Sequence, residues 1–338
     1  MMVIIKLKSL TKRSYLGDII DHKGKNDANI TARVKRGHGV IKQILNILED
    51  ICFGKLYFIV AKILRESLFL NSILLNSEAW YGLSKSNIEE LEKIDNILLK
   101  KFFDLPTSTP SVMVHLELGT LPVRYILMTR RVMFLQYILK EDKNSLLSKF
   151  LMAQIEETLK GDWWEMLLND ISELRLNYSL HEIRMMSKTK FKTLVKEAAS
   201  TKAFEWLVEE KLKMTKVKHI NHNSLEIQKY LSSGNLNVEQ RKFLMHARCR
   251  MLTLRVNYKH MHDSTSCPLC SSPPSLGEVL HQDCQEHLLS CKSLRSGTEL
   301  VPNNLIYSDI FGKDTKRQES MTIVLNNKYK MRKKLHKL

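Results

Sequence analysis

"SKSNIEELEKIDNILLKKFF", Ser84 to Phe103, has the period of a helix. Ser86 with Glu89 three residues on makes a capping box. Ile88, Leu91, Ile94, Leu98 and Phe102 recur three and four apart, so one face is apolar. The pattern extends in both directions. Upstream, "NITARVKRGHGVIKQILNILEDI" from Asn29 repeats Val40, Ile44, Ile47, Leu48 and Ile51. A second helix is expected from Gly54 to about Leu75. Its surroundings, "ICFGKLYFIVAKILRESLFLNSILL", are the most apolar in the chain. Lys55, Lys62, Arg65 and Glu66 interrupt them, which excludes a lipid-spanning helix and points to a core helix. Downstream, Pro106 and Pro110 bracket a loop, and a short helix starts at Pro110. Gly119 closes it, and Pro122 opens "PVRYILMTRRVMFLQYILK". Helices then alternate with polar breaks to about Leu254. Before all of these, turn residues Asp21 to Asn26 follow the short apolar run of "RSYLGDII", which fits a strand or hairpin. The expected class is mainly α, with a small N-terminal β element and a C-terminal zinc knuckle.

The knuckle is read from "CPLCSSPPSLGEVLHQDCQEHLLSC", Cys267 to Cys291. It holds four of the six cysteines, a concentration that suits metal better than crosslinks. Cys267 and Cys270 can turn both sulfurs inward across a tight turn. His287 and Cys291, four apart, share one face of a helix. Three thiolates and an imidazole make a closed tetrahedral site, the structural form for Zn2+, with no open position for chemistry. Its role is then to fold a segment too short and polar to build its own core. Cys284, His281 and His262 are spare donors. Cys52 and Cys249, in apolar helical stretches, read as inert buried thiols.

The 338 residues carry 53 Lys and Arg against 36 Asp and Glu, a net charge of +17 that favours polyanionic partners, nucleic acid before membrane. The start "MMVIIKLKSLTKR" is too short in its apolar part for a signal peptide, so an intracellular protein of the nucleus or cytoplasm is expected. Arg124 and Arg131, seven apart, share a helix face with Arg130 beside them. "HARCRMLTLRVNYKH" places Arg248, Arg250, Arg255, Lys259 and His260 around Tyr258, just before the knuckle. Cations around an aromatic ring suit a phosphate backbone and a stacked base, so these residues are the candidate nucleic-acid contacts. An ordinary amphipathic surface explains each of them equally well. From Gly312 the tail has nine Lys or Arg against two acids. It reads as a nuclear-import signal, a phosphate-binding arm or a solvated helix end. There is no Asp-Asp pair, no glycine-rich phosphate loop and no Gly-x-Ser-x-Gly elbow. Asp18, Asp21 and Asp104 read as turn and cap residues.

Four stretches in order, "YLGDIIDHKGKNDANITARV", "NSEAWYGLSKSNIEELEKIDNILLKKFF", "LELGTLPVRYILMTRRVMFLQYIL" and "CPLC…QEHLLSCKSL", resemble landmarks of reverse transcriptases of non-LTR (LINE-like) retrotransposons. The resemblance spans nearly the whole chain. It implies a palm-end hairpin remnant over 1–28, with Tyr15-Leu16-Gly17 at the end of the palm. It implies a helical thumb-like domain over 29–140, which in the family grips the template–primer duplex, and a helical C-terminal region over 141–260. The knuckle then occupies 261–311 and a basic helical tail 312–338. Cys267, Cys270, His287 and Cys291 match the family's Cys-Cys-His-Cys knuckle, implicated in RNA or target-DNA binding. The family polymerises DNA on RNA by target-primed reverse transcription, using Mg2+. Its catalytic Asp-Asp motif lies before the segment resembling Tyr15-Leu16-Gly17, and only fourteen residues precede Tyr15 here. No Pro-Asp nuclease motif follows the knuckle. The expectation is a nucleic-acid-binding C-terminal fragment, from a truncated copy or a partial gene model, inactive as a polymerase by itself. The alternative is a helical protein-interaction module co-opted by the host, with zinc used only for stability.

Overall fold

The computed structural model describes residues 12–15, 18–21, 26–50, 54–157, 162–257, 259–261, 264–270, 282–294, 307–312 and 314–336. Strands β1 (Lys12–Tyr15) and β2 (Asp18–Asp21) pair antiparallel, with Lys12 opposite Asp21 and Tyr15 opposite Asp18. Fourteen α-helices follow among the described residues. α1 covers Asp27–Asp50 and α2 Tyr57–Leu64; a π turn over Arg65–Phe69 leads into α3, Leu70–Ile73. α4 is Lys85–Lys101, α5 Ser111–Leu118, α6 Val123–Lys140 and α7 Leu146–Glu156. α8 is Trp163–Glu173, α9 Leu180–Met185, α10 Lys188–Leu212 and α11 Lys229–Ser232. α12 is Val238–Arg248, α13 Gln285–Ser290 and α14 Thr315–His336. The chain is thus mainly α-helical with one N-terminal hairpin. Among the described residues, no helix is long and apolar enough to cross a membrane.

The helices gather into two compact units, each built from separated stretches. The first comprises 1–50, 61–98 and 120–206; the second comprises 51–60, 99–119 and 207–338.

In the first unit, α1 packs on α3 and on β2. Ile30, Ile41, Ile44 and Leu48 supply its buried face. Gly37 lies on that face, and a Cβ there would come within 3.0 Å of Ile94 and 3.2 Å of Ile73. The missing side chain lets neighbouring helices approach, which outweighs the helix-propensity cost of an interior glycine. The apolar stripe of α4 points inward as its period predicts, with Leu91, Ile94 and Leu98 at 0–1% exposure. Each such side chain contributes roughly 1.5–3 kcal/mol by leaving water. The cap differs from expectation. The Ser84 hydroxyl accepts from Asn87 N, and Asn87 Oδ1 accepts from Ser84 N, both at 3.1 Å. Asn87 fills the place usually held by Glu or Gln, so the reciprocal cap sits two residues before Ser86.

Several charged groups of this unit lie inside it, wholly or in part. Arg65, read from sequence only as a bar to membrane insertion, grips Asp95 with Nε at 2.7 Å and Nη2 at 2.6 Å. Asp18, read as a turn residue, is the hub that fastens the hairpin. Its carboxylate accepts from Arg33 Nη2 at 2.6 Å, Asn29 at 3.0 Å, Asn76 at 2.7 Å and Trp80 Nε1 at 3.3 Å. Burial works against the ionised form, but Asn76, Arg33 and Asn29 together hold its pKa below the usual carboxylate value.

The second unit is organised by α5, whose residues Val112 to Leu118 are all buried. Gly119 ends it at φ 62°, a left-handed cap. Phe58 stacks on Phe103 at 4.6 Å. Asp104 has φ 55° just past α4 and pairs with Lys242 at 2.8 Å, in keeping with its turn reading. α14 packs on α12 and α13 with Met321, Thr322 and Leu325 fully buried. One face of the basic tail is therefore core, and Lys330, Lys333 and Lys334 lie on the other.

Candidate metal centre

The knuckle is assembled from two arms. An antiparallel bridge pairs Ser266 with Gln282 and brings the arms together. In the first arm, Cys270 N donates to Cys267 O at 3.3 Å, closing the turn that turns both sulfurs inward. In the second, α13 carries His287, and Cys291 caps its C-terminus, donating its N–H to His287 O at 2.7 Å. The four ligand atoms lie within 4.8 Å of one another. Cys270 Sγ is 3.3 Å from His287 Nε2 and 3.4 Å from Cys291 Sγ. A tetrahedral Zn2+ with ordinary Zn–S and Zn–N bonds puts its ligand atoms about 3.6–3.8 Å apart. These residues fit such an ion with shifts of a fraction of an ångström to about one ångström. Soft thiolates and an imidazole are also the donor set zinc prefers. Among the described residues, no other group of three or more His, Cys, Asp or Glu converges in this way.

Cys267, Cys291 and His287 are buried, and Cys270 is half-buried. Burial raises the Cys267 thiol and pushes Cys291 up to about 12. A cation must therefore displace protons to bind, and its affinity weakens as pH is lowered. Cys284 is not in the ligand group. It is the N-cap of α13, where its sulfur accepts from His287 N at 3.4 Å. His262 and His281, the other spare donors, lie outside the described residues.

The support behind the ligands was not visible in the sequence. Asp283, 1% exposed, accepts from Arg332 Nε at 3.0 Å and from Arg255 N at 2.9 Å. Its own N–H donates to Thr265 O at 2.8 Å, and its carbonyl accepts from Val256 N at 3.3 Å. One residue thus ties both knuckle arms to the segment before them and to α14. Lys328 Nζ adds a bond to Leu289 O at 2.9 Å. Arg332 stands 49 residues from Asp283, and no local pattern links them.

Three of the candidate nucleic-acid contacts fall in the first unit and four in the second. In the first unit, Arg131 is 3% exposed and held by Asp170, with Nε at 2.6 Å from Oδ2. Arg124 makes a two-pronged pair with Glu92, both bonds 2.7 Å, and its guanidinium lies 4.5 Å from the centre of the Trp206 ring. Arg130 donates to Leu74 O and to Asn71 Oδ1. In the second unit, Arg248 is 2% exposed and bound to Glu117, with Nε at 3.0 Å. Arg250 pairs with Glu286 at 2.6 Å, and Arg255 Nη1 donates to Ser266 O at 3.3 Å. The Lys259 backbone starts a 3-10 turn over Lys259–Met261; its side chain and Tyr258 lie outside the described residues. Arg131 and Arg248 therefore depart from their expected role, since each already neutralises a buried carboxylate. Spacing identified residues that share a face but not which way the face looks.

Arg248 belongs to a second polar cluster. Glu117 Oε1 lies 3.0 Å from His222 Nε2, and Lys211 Nζ is 3.5 Å from His222 Nδ1. Lys211 also donates to Ile220 O. Burial alone would raise the Glu117 carboxyl, but Arg248 and His222 outweigh it and hold it at about 2. Cys249 next door is fully buried and its thiol is raised by burial, as expected for an inert core cysteine. Cys52 lies outside the described residues.

No family model, curated protein or solved structure matches the chain.

Proposed function

We propose that this chain is a nucleic-acid-binding, zinc-stabilised protein corresponding to the region after the catalytic palm in a non-LTR retrotransposon reverse transcriptase. The observation that carries the reading is the convergence of Cys267, Cys270, His287 and Cys291, in the knuckle's place after three other ordered stretches. The net charge of +17 supports it by favouring a polyanionic partner. Zn2+ would be held by those four side chains and would supply folding free energy to the knuckle, with no catalytic step at the metal. RNA or DNA would be bound through phosphates by exposed cations rather than by the buried arginines. Polymerisation, with its Mg2+, is not assigned to this chain, whose sequence has no Asp-Asp pair.

The test is binding of labelled RNA and DNA to the zinc-loaded chain across a salt series. Phosphate contacts predict that log K falls linearly with log salt, by about 0.7 per contact for single strands and 0.9 for duplex. Affinity unchanged between low and physiological salt sinks the reading. Template, primer, Mg2+ and nucleotides should yield no extension; template-directed extension by the purified chain would overturn the non-catalytic assignment.

The protein-interaction reading also has an observation in its favour. α7 exposes Leu146 at 83%, with Phe150 and Met152 at 53% each. Apolar side chains so placed suit a protein partner. Salt-insensitive capture of a protein, without nucleic-acid binding, would select that reading.

A further inference from the structure

The candidate arginines are engaged inside the units, so the exposed cations that meet phosphate must lie elsewhere. In the first unit exposed cations occur on α1, at Lys35, Arg36 and Lys42, and more densely where α9 meets α10. Between Glu182 and Glu197 the chain carries Arg184, Lys188, Lys190, Lys192 and Lys196 and no acid. All five side chains are exposed. The four lysines occupy the first nine residues of α10, whose first turn has no acidic residue.

The arrangement works against the helix. Lys188–Lys192 and Lys192–Lys196 are like-charge pairs four residues apart, and such pairs destabilise. None of the four lysines has an acid three or four positions away. Cations in a first turn also oppose the helix dipole. Acids flank the group at Glu141, Glu182 and the exposed Glu197. Glu182 caps α9 by accepting from Ser179 N at 2.7 Å and from Ser179 Oγ at 2.8 Å, and Glu141 bonds the Tyr137 hydroxyl. Lys140, from the end of α6, is tethered to Met186 O at 2.5 Å, two residues before Lys188. Three elements thus bring cations together on one part of the unit: Lys188, Lys192 and Lys196 share a side of α10, and Lys190, two residues from Lys188 and from Lys192, lies on another exposed side. A surface that costs helix stability is explained by an external anion.

A phosphate backbone fits better than a lipid surface. A membrane-lying helix needs apolar side chains beside its cations. Here Phe191, Val195, Ala199 and Ala203 of α10 are buried in the unit, and the exposed neighbours of the lysines within α10 are Thr189, Thr193 and Glu197. Met185 is the lone large apolar side chain exposed on α9 and α10 before Leu212.

We infer that the exposed surface carrying Arg184, Lys188, Lys190, Lys192 and Lys196 around the start of α10, joined by Lys140, is the nucleic-acid phosphate-binding surface of the first unit. This rests on the nucleic-acid reading above and gives it an address separate from the metal centre.

The experiment titrates a labelled single-stranded RNA of mixed sequence with the full zinc-loaded chain, from 50 to 300 mM salt. It compares wild type with K188Q/K190Q/K192Q/K196Q. Four lost phosphate contacts flatten the slope of log K on log salt by about 2.8 and weaken binding at 0.1 M salt by up to about 600-fold. The charge-preserving K188R/K190R/K192R/K196R should keep the wild-type slope. K213Q/K216Q/K218Q/K229Q, which removes the same charge from exposed lysines of the second unit, should alter it by less than one contact. Circular dichroism and melting of each variant establish that it is folded; the lysine-to-glutamine variant should melt no lower than wild type. If wild type shows no salt-dependent binding, the functional reading falls and this surface with it. If wild type binds but the α10 variant keeps its slope, or the control loses as much, this placement alone falls. RNA displaced from wild type by phosphatidylserine vesicles, through the same four lysines, would also overturn it in favour of a membrane surface.

Discussion

Glu117→Gln removes one charge and almost no volume from the most buried ion cluster of the second unit. Glu117 is 0% exposed, and its Oε1 accepts from Arg248 Nε at 3.0 Å and Nη2 at 2.9 Å. With glutamine, Arg248 remains buried without a counter-charge, a situation that costs about 3–5 kcal/mol. The pH dependence gives an independent figure. The folded pKa is lowered from 4.5 to about 2. A depressed carboxyl stabilises the fold above its unfolded pKa, and that contribution disappears as pH falls through the folded value. The window is therefore pH 4.5 down to 2, and the contribution is about 3 kcal/mol at 1.36 kcal/mol per unit. The assay is urea unfolding at pH 7, 4.5 and 2.5 followed by far-UV circular dichroism. All four tryptophans, Trp80, Trp163, Trp164 and Trp206, lie in the first unit, so their emission reports that unit separately. The variant should lose stability at pH 7 in the dichroism signal, and the gap to wild type should close as pH falls. Glu117→Leu with Arg248→Met, which removes both charges, should recover most of the loss. A single variant within 1 kcal/mol of wild type at pH 7, or one that keeps the full acid dependence, would refute the reasoning.

Gly119→Ala should destabilise the second unit by about 2–4 kcal/mol, through a left-handed φ of 62° and a new methyl 2.3 Å from the Glu226 carbonyl carbon. Gly39→Ala, where a Cβ meets nothing within 4 Å, should be neutral or mildly stabilising in the same melting assay. Removing the metal with a chelator should unfold the knuckle, with a loss on the order of 10 kcal/mol to that segment. Measured zinc content should vanish in Cys270→Ser or Cys291→Ser and persist in Cys284→Ser, whose sulfur only caps α13; zinc lost from Cys284→Ser would contradict the ligand set.

What the sequence made legible was local. A 3.6-residue period compares near neighbours, so the buried stripe of α4 could be read directly. The knuckle was legible for the same reason, since each half of its ligand set is fixed by a spacing of three or four residues. Proline and glycine marked the ends of α5 and the start of α6 because their backbone constraints act at single positions. What failed depended on partners far along the chain. Arg131 is turned inward by Asp170, 39 residues away, and Arg248 by Glu117, 131 residues away. Asp18 became a hub because Asn76 and Trp80 arrive from another part of the fold. The interleaving of the two units, each drawing on three stretches, has no signature in any single window.

Most of the net positive charge nevertheless lies outside the core. Among the described residues, eight cations are buried: Arg33, Arg65, Arg131, Lys211, Arg241, Arg248, Lys328 and Arg332. Five acids are buried with them: Asp95, Glu117, Asp170, Asp283 and Glu319. An interior admits charges mainly in compensated form, because an unpaired ion there is too costly. Burial therefore removes cations and anions in similar numbers and leaves most of the +17 outside. Net charge is a property of the whole chain and is nearly indifferent to which arginines the core takes. Which cations are available to a polyanionic partner is decided by which ones the core leaves exposed, and that choice is made by the fold. In the stretch from Ile183 to Lys196 the local sequence holds no acid, and the five cations it carries are left exposed by the fold.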